Sequence, residues 1–191
     1  MNSLGKIVAG TVLLLSAVPA WSQLSVGGFD GEQFVTAVRS GDNDKALKLI
    51  TETPTIINSR DAAGRTALVS AISNRDTAWT AELLRRGADP DLAERAGDTP
   101  LIAAARISFN EAAQWLIESG ASIDKTNKMG ETPLIVAVQR RNLPLVKLLL
   151  QHGANPDKSD SAQGYSARDY AKRDNRSPEL LRAIEAKKPA S

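Results

Sequence analysis

Among side chains able to do chemistry, imidazole occurs once, at His152, and thiol not at all. Cysteine–histidine nucleophilic catalysis and histidine-rich or thiolate metal sites are therefore excluded. His152 stands one residue before Gly153, near the predicted end of a helix, where a histidine ordinarily serves as a surface or capping group. Ser70 and Ser73 have no histidine in any identifiable arrangement to activate them. The carboxylates Asp89 with Asp91, and Asp157 with Asp160, resemble a calcium loop or an acid–base pair at first sight. Their recurrence at matching columns of a repeat explains them better as turn formers. Aromatic residues make up 4% of the chain, too few for a pocket of stacked rings. The glycines are too widely spaced for a phosphate-binding loop. The inventory points to recognition without turnover, and no cofactor is expected.

The glycine spacing is itself the organising signal. Gly64, Gly97 and Gly130 follow one another at 33 residues and Gly164 at 34, while Gly87, Gly120 and Gly153 keep the 33-residue interval. The first series is followed by the hydroxyls Thr66, Thr99, Thr132 and Ser166, the second by Ala88, Ala121 and Ala154. Thr99 and Thr132 are placed to cap a helix, with Pro100 and Pro133 at the first helical position, where no donor is lost. Ala103 and Ala104 are small because neighbouring inner helices must lie close. The aliphatic pairs Leu83-Leu84, Leu116-Ile117 and Leu149-Leu150 fill the space between layers. Gly87, Gly120 and Gly153 close a second helix, and 89–96, 124–129 and 157–163 are predicted to run out as β-turn fingers. One such unit buries too little to stand alone, so the units must stack.

Two sets of segments carry a family resemblance. Gly97-Asp98-Thr99-Pro100-Leu101 and Gly130-Glu131-Thr132-Pro133-Leu134 resemble the opening of the first helix of an ankyrin repeat. The runs from Leu83 to Asp91 and from Leu149 to Asp157 resemble the close of its second. The resemblance covers residues 29–186 and implies an all-α ankyrin-repeat solenoid of about five helix-turn-helix repeats joined by β-turn fingers. The repeats fall near 29–60, 61–93, 94–126, 127–160 and 161–186, with atypical first and last units. Two departures stand out. Val69, Ile102 and Ile135 replace the family's first-helix histidine, and Arg75, Ser108 and Arg141 replace the glycine between paired helices, which only Gly41 keeps. A left-handed conformation at those three would cost about 1–2 kcal/mol each; a slightly different turn is the preferred expectation.

The segment 1–22 reads as a secretory signal peptide: Lys6, an apolar run over 7–18, then small residues around Pro19. Cleavage is expected after Ala20 or after Ser22, the second preferred. The run falls short of the roughly 20 residues that span a bilayer, so no membrane insertion is expected after cleavage. A short segment, 23–28, would precede the repeats, and 187–191 would form a disordered tail. Without cysteine there is neither a lipidation site nor a disulfide, which suits the periplasm of a Gram-negative bacterium. Removal of the leader takes Lys6 from the 24 basic residues and leaves 23 against 22 acidic ones, a near balance that argues against a nucleic-acid partner.

The resemblance implies that a partner protein docks on the concave side, at finger tips and exposed ends of first helices. Transferring those columns selects Ala63, Arg65, Ser73 and Asn74 in one repeat and Arg95, Asp98, Arg106 and Ile107 in the next. It then selects Lys128, Met129, Glu131, Gln139, Arg140 and His152, and finally Tyr165 and Arg173. The recurring arginines suggest recognition of an acidic or mixed-charge surface. Replacing Arg106 and Arg140 by glutamate is expected to abolish binding without changing the melting curve. Trp79 should be core and Trp115 partly buried. The expected role is a periplasmic adaptor or chaperone-like support protein, monomeric alone, with an inhibitor or immunity protein as the alternative. A small-molecule or haem carrier finds little support in a single imidazole.

Overall fold

Helices start where a hydroxyl or carboxylate stands ahead of an apolar run. The side-chain oxygens of Thr66, Thr99 and Thr132 accept the backbone N–H of Val69, Ile102 and Ile135 at 3.2, 3.2 and 3.1 Å. Ser166 and Asp169 close a reciprocal capping box. Asp42, Asp76 and Asn142 cap the second helices of their pairs. The computed structural model describes residues 21–186, with side chains from Gly28 onward. Nearly all of the expected leader 1–22, and the tail 187–191, lie outside those residues.

The described chain forms five helix pairs: α1 (Trp21–Ser40) with α2 (Asn43–Glu52), α3 (Ala67–Ser73) with α4 (Thr77–Arg85), α5 (Pro100–Arg106) with α6 (Asn110–Glu118), α7 (Pro133–Gln139) with α8 (Leu143–Gln151), and α9 (Ala167–Arg173) with α10 (Pro178–Glu185). A 3₁₀ turn at Pro54–Asn58 follows α2. Helix α1 includes the segment 23–28. The odd-numbered helices pack in sequence as an inner row, and α4, α6, α8 and α10 continue as an outer row. Among the described residues there are no strands, only isolated bridges such as Arg60 to Thr66 and Ser159 to Ser166, which pinch two fingers. No helix there is long and apolar enough to cross a membrane.

The rows are held apart at the distance their side chains set. Ala71, Ala104 and Ala137 are fully buried and let the inner helices approach, while Leu83, Leu116 and Leu149 fill the layer between inner and outer rows. Val69, Ile102 and Ile135 are buried in the positions where histidine was expected from the family pattern. Trp79 is 5% exposed, edge-on to Phe34, and its indole N–H donates to Asn43 Oδ1 at 2.6 Å. Trp115 is half-buried.

The inter-helix turns correct the expectation of a different turn. Arg75, Ser108 and Arg141 all adopt the left-handed conformation, with φ of 55°, 55° and 54°. Two of the three reach forward from that strained position. The Arg75 guanidinium donates to the Ile107 carbonyl and lies 5.6 Å from the centre of the Phe109 ring. Arg141 grips Asp174 through two hydrogen bonds of 2.5 and 3.1 Å. Each thereby clamps its own turn to that of the following repeat, a return that glycine cannot supply.

A second ladder explains the carboxylates that looked like metal ligands. Asn58, Asp91 and Asp124 accept the backbone N–H of Asp89, Ser122 and Asn155 in the following repeat at 2.9–3.0 Å. Lys125 and Lys158 return the contact to the carbonyls of Asp91 and Asp124 at 3.1 and 2.8 Å. Asp157 continues the column and holds Arg168 at 2.6 and 3.2 Å. These oxygens tie repeats together.

Candidate protein-binding face

Each finger is a turn closed across its base. Asp61, Glu94, Asn127 and Asp160 donate backbone N–H groups to the carbonyls of Arg65, Asp98, Glu131 and Tyr165 at 2.9–3.1 Å. Successive fingers stack closely: Ser161 N–H donates to the Met129 carbonyl at 2.8 Å. Gly130, at φ 76°, sits so close that a Cβ there would lie 2.5 Å from the Ser161 nitrogen. Only glycine permits both that backbone and that approach.

The floor between fingers and inner helices is ionic. Arg65 places Nε and a terminal nitrogen on Asp61 Oδ2 at 3.0 and 2.8 Å, and Arg39 approaches the same oxygen at 3.6 Å. Burial pushes the Asp61 carboxyl up, but the backbone and guanidinium hydrogen bonds from Arg65 outweigh it and hold it below the usual carboxylate range. Arg106 grips Asp98 in a fork at 2.8 and 3.0 Å and also donates to Glu131 at 3.1 Å. Asn127 Nδ2 bridges the same two carboxylates, 2.8 Å from each. Asp98 and Glu131 are 8% and 6% exposed.

This network already engages part of the expected binding set. Asp98 and Glu131 are buried, and Arg65 and Arg106 are committed to carboxylates of the fold, because the residue just before each helix cap is drawn under the neighbouring finger. The sequence held a usable signal: the opposite charges Asp98 and Arg106 flank one short helix, and Glu131 repeats the Asp98 column. His152 stands apart from the other selected residues. It follows α8 in the outer row, exposed, with Nδ1 2.9 Å from the Leu148 carbonyl, and does not join the inner stripe.

The remaining residues lie on the fingers and at inner-helix ends. Arg95 is exposed and reaches back to the Ala62 carbonyl at 3.2 Å. Asn74 donates to the Arg39 carbonyl at 2.8 Å, and Ile107 is half-buried. Ala63, Ser73, Lys128, Gln139 and Arg140 are exposed, and Met129 is 50% exposed at a fingertip. Among the described residues Lys128 and Arg140 form no ion pair. At the C-terminal end the Arg173 guanidinium lies 4.3 Å from the centre of the Tyr165 ring, which meets Tyr170 edge-on at 5.6 Å. Tyr170 donates its hydroxyl to Asp160 at 2.6 Å; burial and that bond push its pKa up to about 12.

Repeated helix pairs, stacked fingers and a line of exposed fingertip and helix-end residues together offer a surface on which a partner can dock. A family model of ankyrin repeats in three copies matches residues 34–127 and 78–160, well over half of the chain. The chain belongs to the ankyrin repeat family. A search of curated proteins returned no match. Ankyrin repeats are generic protein–protein interaction modules and are typically non-enzymatic, so the inner face of this ankyrin repeat protein is its candidate partner surface.

Proposed function

We propose that this ankyrin repeat protein is a periplasmic adaptor, or chaperone-like support, that holds one partner protein against its inner face. The observation that carries the reading is a line of side chains that enter no ion pair among the described residues: Arg95, Lys128, Arg140 and Arg173, with Met129 an apolar fingertip half open to solvent. Arginine and aromatic side chains of this kind dominate binding energy at protein interfaces. Helices α3, α5, α7 and α9 are pinned to one another, so the row is held in place before a partner arrives and little ordering cost falls on binding. The periplasmic location rests on the leader-like segment 1–22 and the lack of cysteine.

The test is capture of partners from native periplasm on the mature chain, identified by mass spectrometry, with Arg140→Glu/Arg173→Glu as the control. The double variant is expected to weaken the captured complex at least about tenfold through lost electrostatic and stacking contacts, while the lost Arg173–Tyr165 contact costs the fold no more than about 1 kcal/mol. A partner retained at full affinity by the variant rejects the assignment of the face.

A further inference from the structure

Glu94 breaks the rule of its own column. In the equivalent places Asp61, Asn127 and Asp160 fold their side chains back onto their own finger: Asp61 accepts Arg65 N–H at 2.9 Å, Asn127 accepts Met129 and Glu131 at 2.9 and 3.0 Å, and Asp160 accepts Gln163 and Gly164 at 2.7 and 3.0 Å. The Glu94 carboxylate, one methylene longer than an aspartate, makes no hydrogen bond or ion pair among the described residues, although it is half-buried. Burial, and after it the charge of Asp98, raise its pKa above the ordinary glutamate value; Arg65 and Arg106 pull the other way and Asp61 adds a smaller push.

Both nearby guanidiniums are already engaged, Arg65 by Asp61 and Arg106 by Asp98 and Glu131. Glu94 is therefore a partly desolvated carboxylate with no counter-charge of its own, an arrangement that gains from any cation able to reach it. Exposed cations stand nearby, Arg95 on the same finger and Lys128 on the next.

Resting on the reading of the inner face as the partner surface, we infer that Glu94 is the seat for a lysine or arginine side chain of the partner. The complementary segment carries a basic residue flanked by acidic ones, the base on Glu94 and the acids toward Arg95 and Lys128. A uniformly acidic partner does not fit, because it would bring a carboxylate against Glu94 and Asp98.

The test follows the side-chain carboxyl carbon of Glu94 by NMR in the isotope-labelled chain. The probe is a capped Asp-Gly-Lys-Gly-Asp peptide, with a counterpart in which norleucine replaces lysine. The lysine peptide is expected to move the Glu94 resonance while the norleucine peptide leaves it in place. Glu94→Gln should weaken the lysine peptide at least about fivefold and unfold at no lower urea midpoint than the native chain. Absent binding, an equal response to both peptides, or an unchanged affinity in Glu94→Gln overturns the inference. If partner capture depends on Arg140 and Arg173 but not on Glu94, the inner-face reading stands and this inference falls. If capture depends on none of the three, both fall.

Discussion

The two halves of the inner face use charge in opposite ways. Under the middle fingers, Arg106 is locked by Asp98, Glu131 and Asn127, and the cation belongs to the fold. Toward the C-terminal end, Arg140 is unpaired among the described residues and Arg173 lies on an aromatic ring, so both remain available to a partner. A row of arginines at repeating positions is thus no uniform stripe. The distinction lies in register: Arg106 is the last residue of α5 and reaches Asp98 and Glu131, whereas Arg140 stands one place later, at the cap that follows α7.

The largest expected effect comes from placing glutamate at Arg106. Three carboxylates would then converge where two are already buried, and Asn127 alone cannot neutralise them. Breaking one partner of a buried pair costs about 3–5 kcal/mol. The Arg106 side chain is 34% exposed, so solvent screening reduces the expectation to about 2–3 kcal/mol. Urea unfolding checks the value, and a midpoint like that of the native chain would show that the network contributes nothing. This reverses the sequence-based expectation that Arg106→Glu would leave the melting curve alone.

How much the sequence revealed follows from how local each determinant is. Thr99, Pro100 and Gly87 act within a few residues, so helix starts and stops, the repeat and the all-α solenoid were readable from spacing. The Arg106 network joins residues of two repeats, and its closure depends on how one finger lies over the next. Arg75 and Arg141 were misread for a related reason. Local sterics argued against a left-handed arginine, but the clamp onto the following repeat outweighs that strain, and its partners lie 32 and 33 residues away. The odd behaviour of Glu94 was hidden too, since nothing in a column of Asp, Glu, Asn and Asp says which side chain fails to reach its own amides.

The turn comparison can be sharpened by glycine substitution. Ser108 holds the same left-handed conformation as Arg75 and Arg141, but its side chain makes no clamp. Ser108→Gly should stabilise the protein by about 1 kcal/mol, the relief of strain less the added freedom of glycine when unfolded. Arg75→Gly should gain less, since the contacts to Ile107 and Phe109 go with the side chain. Thermal unfolding of the two variants in parallel decides it, and an equal gain in both would remove the clamp as the reason for arginine at the turn.

The C-terminal half carries its own titration. Tyr170 binds its proton more tightly folded, at a pKa of about 12 against the ordinary tyrosine value of 10.0. Between those two values the folded state holds more protons than the unfolded one, so stability falls as pH rises through that window. The contribution is complete below pH 10 and lost by about 12. Tyr170→Phe should abolish this part of the alkaline decline and, at neutral pH, cost about 1 kcal/mol for the lost bond to Asp160. Equilibrium unfolding at several pH values separates the two, and an identical alkaline slope in the variant would break the link.

The smallest expected effect on stability is also the most discriminating. Arg140 sits in solvent at the end of α7 and contacts no carboxylate among the described residues, so glutamate there removes nothing the fold relies on. Its cost should stay within about 0.5 kcal/mol, the ordinary range for a surface substitution. The charge change at Arg106 is identical, yet the expected cost differs several-fold, because Arg106 is partly buried between two carboxylates and Arg140 is exposed beside none. Matched urea curves for Arg106→Glu and Arg140→Glu therefore measure the difference between a cation that holds the repeats together and one left for a partner. Equal destabilisation would mean that the inner face has no such division.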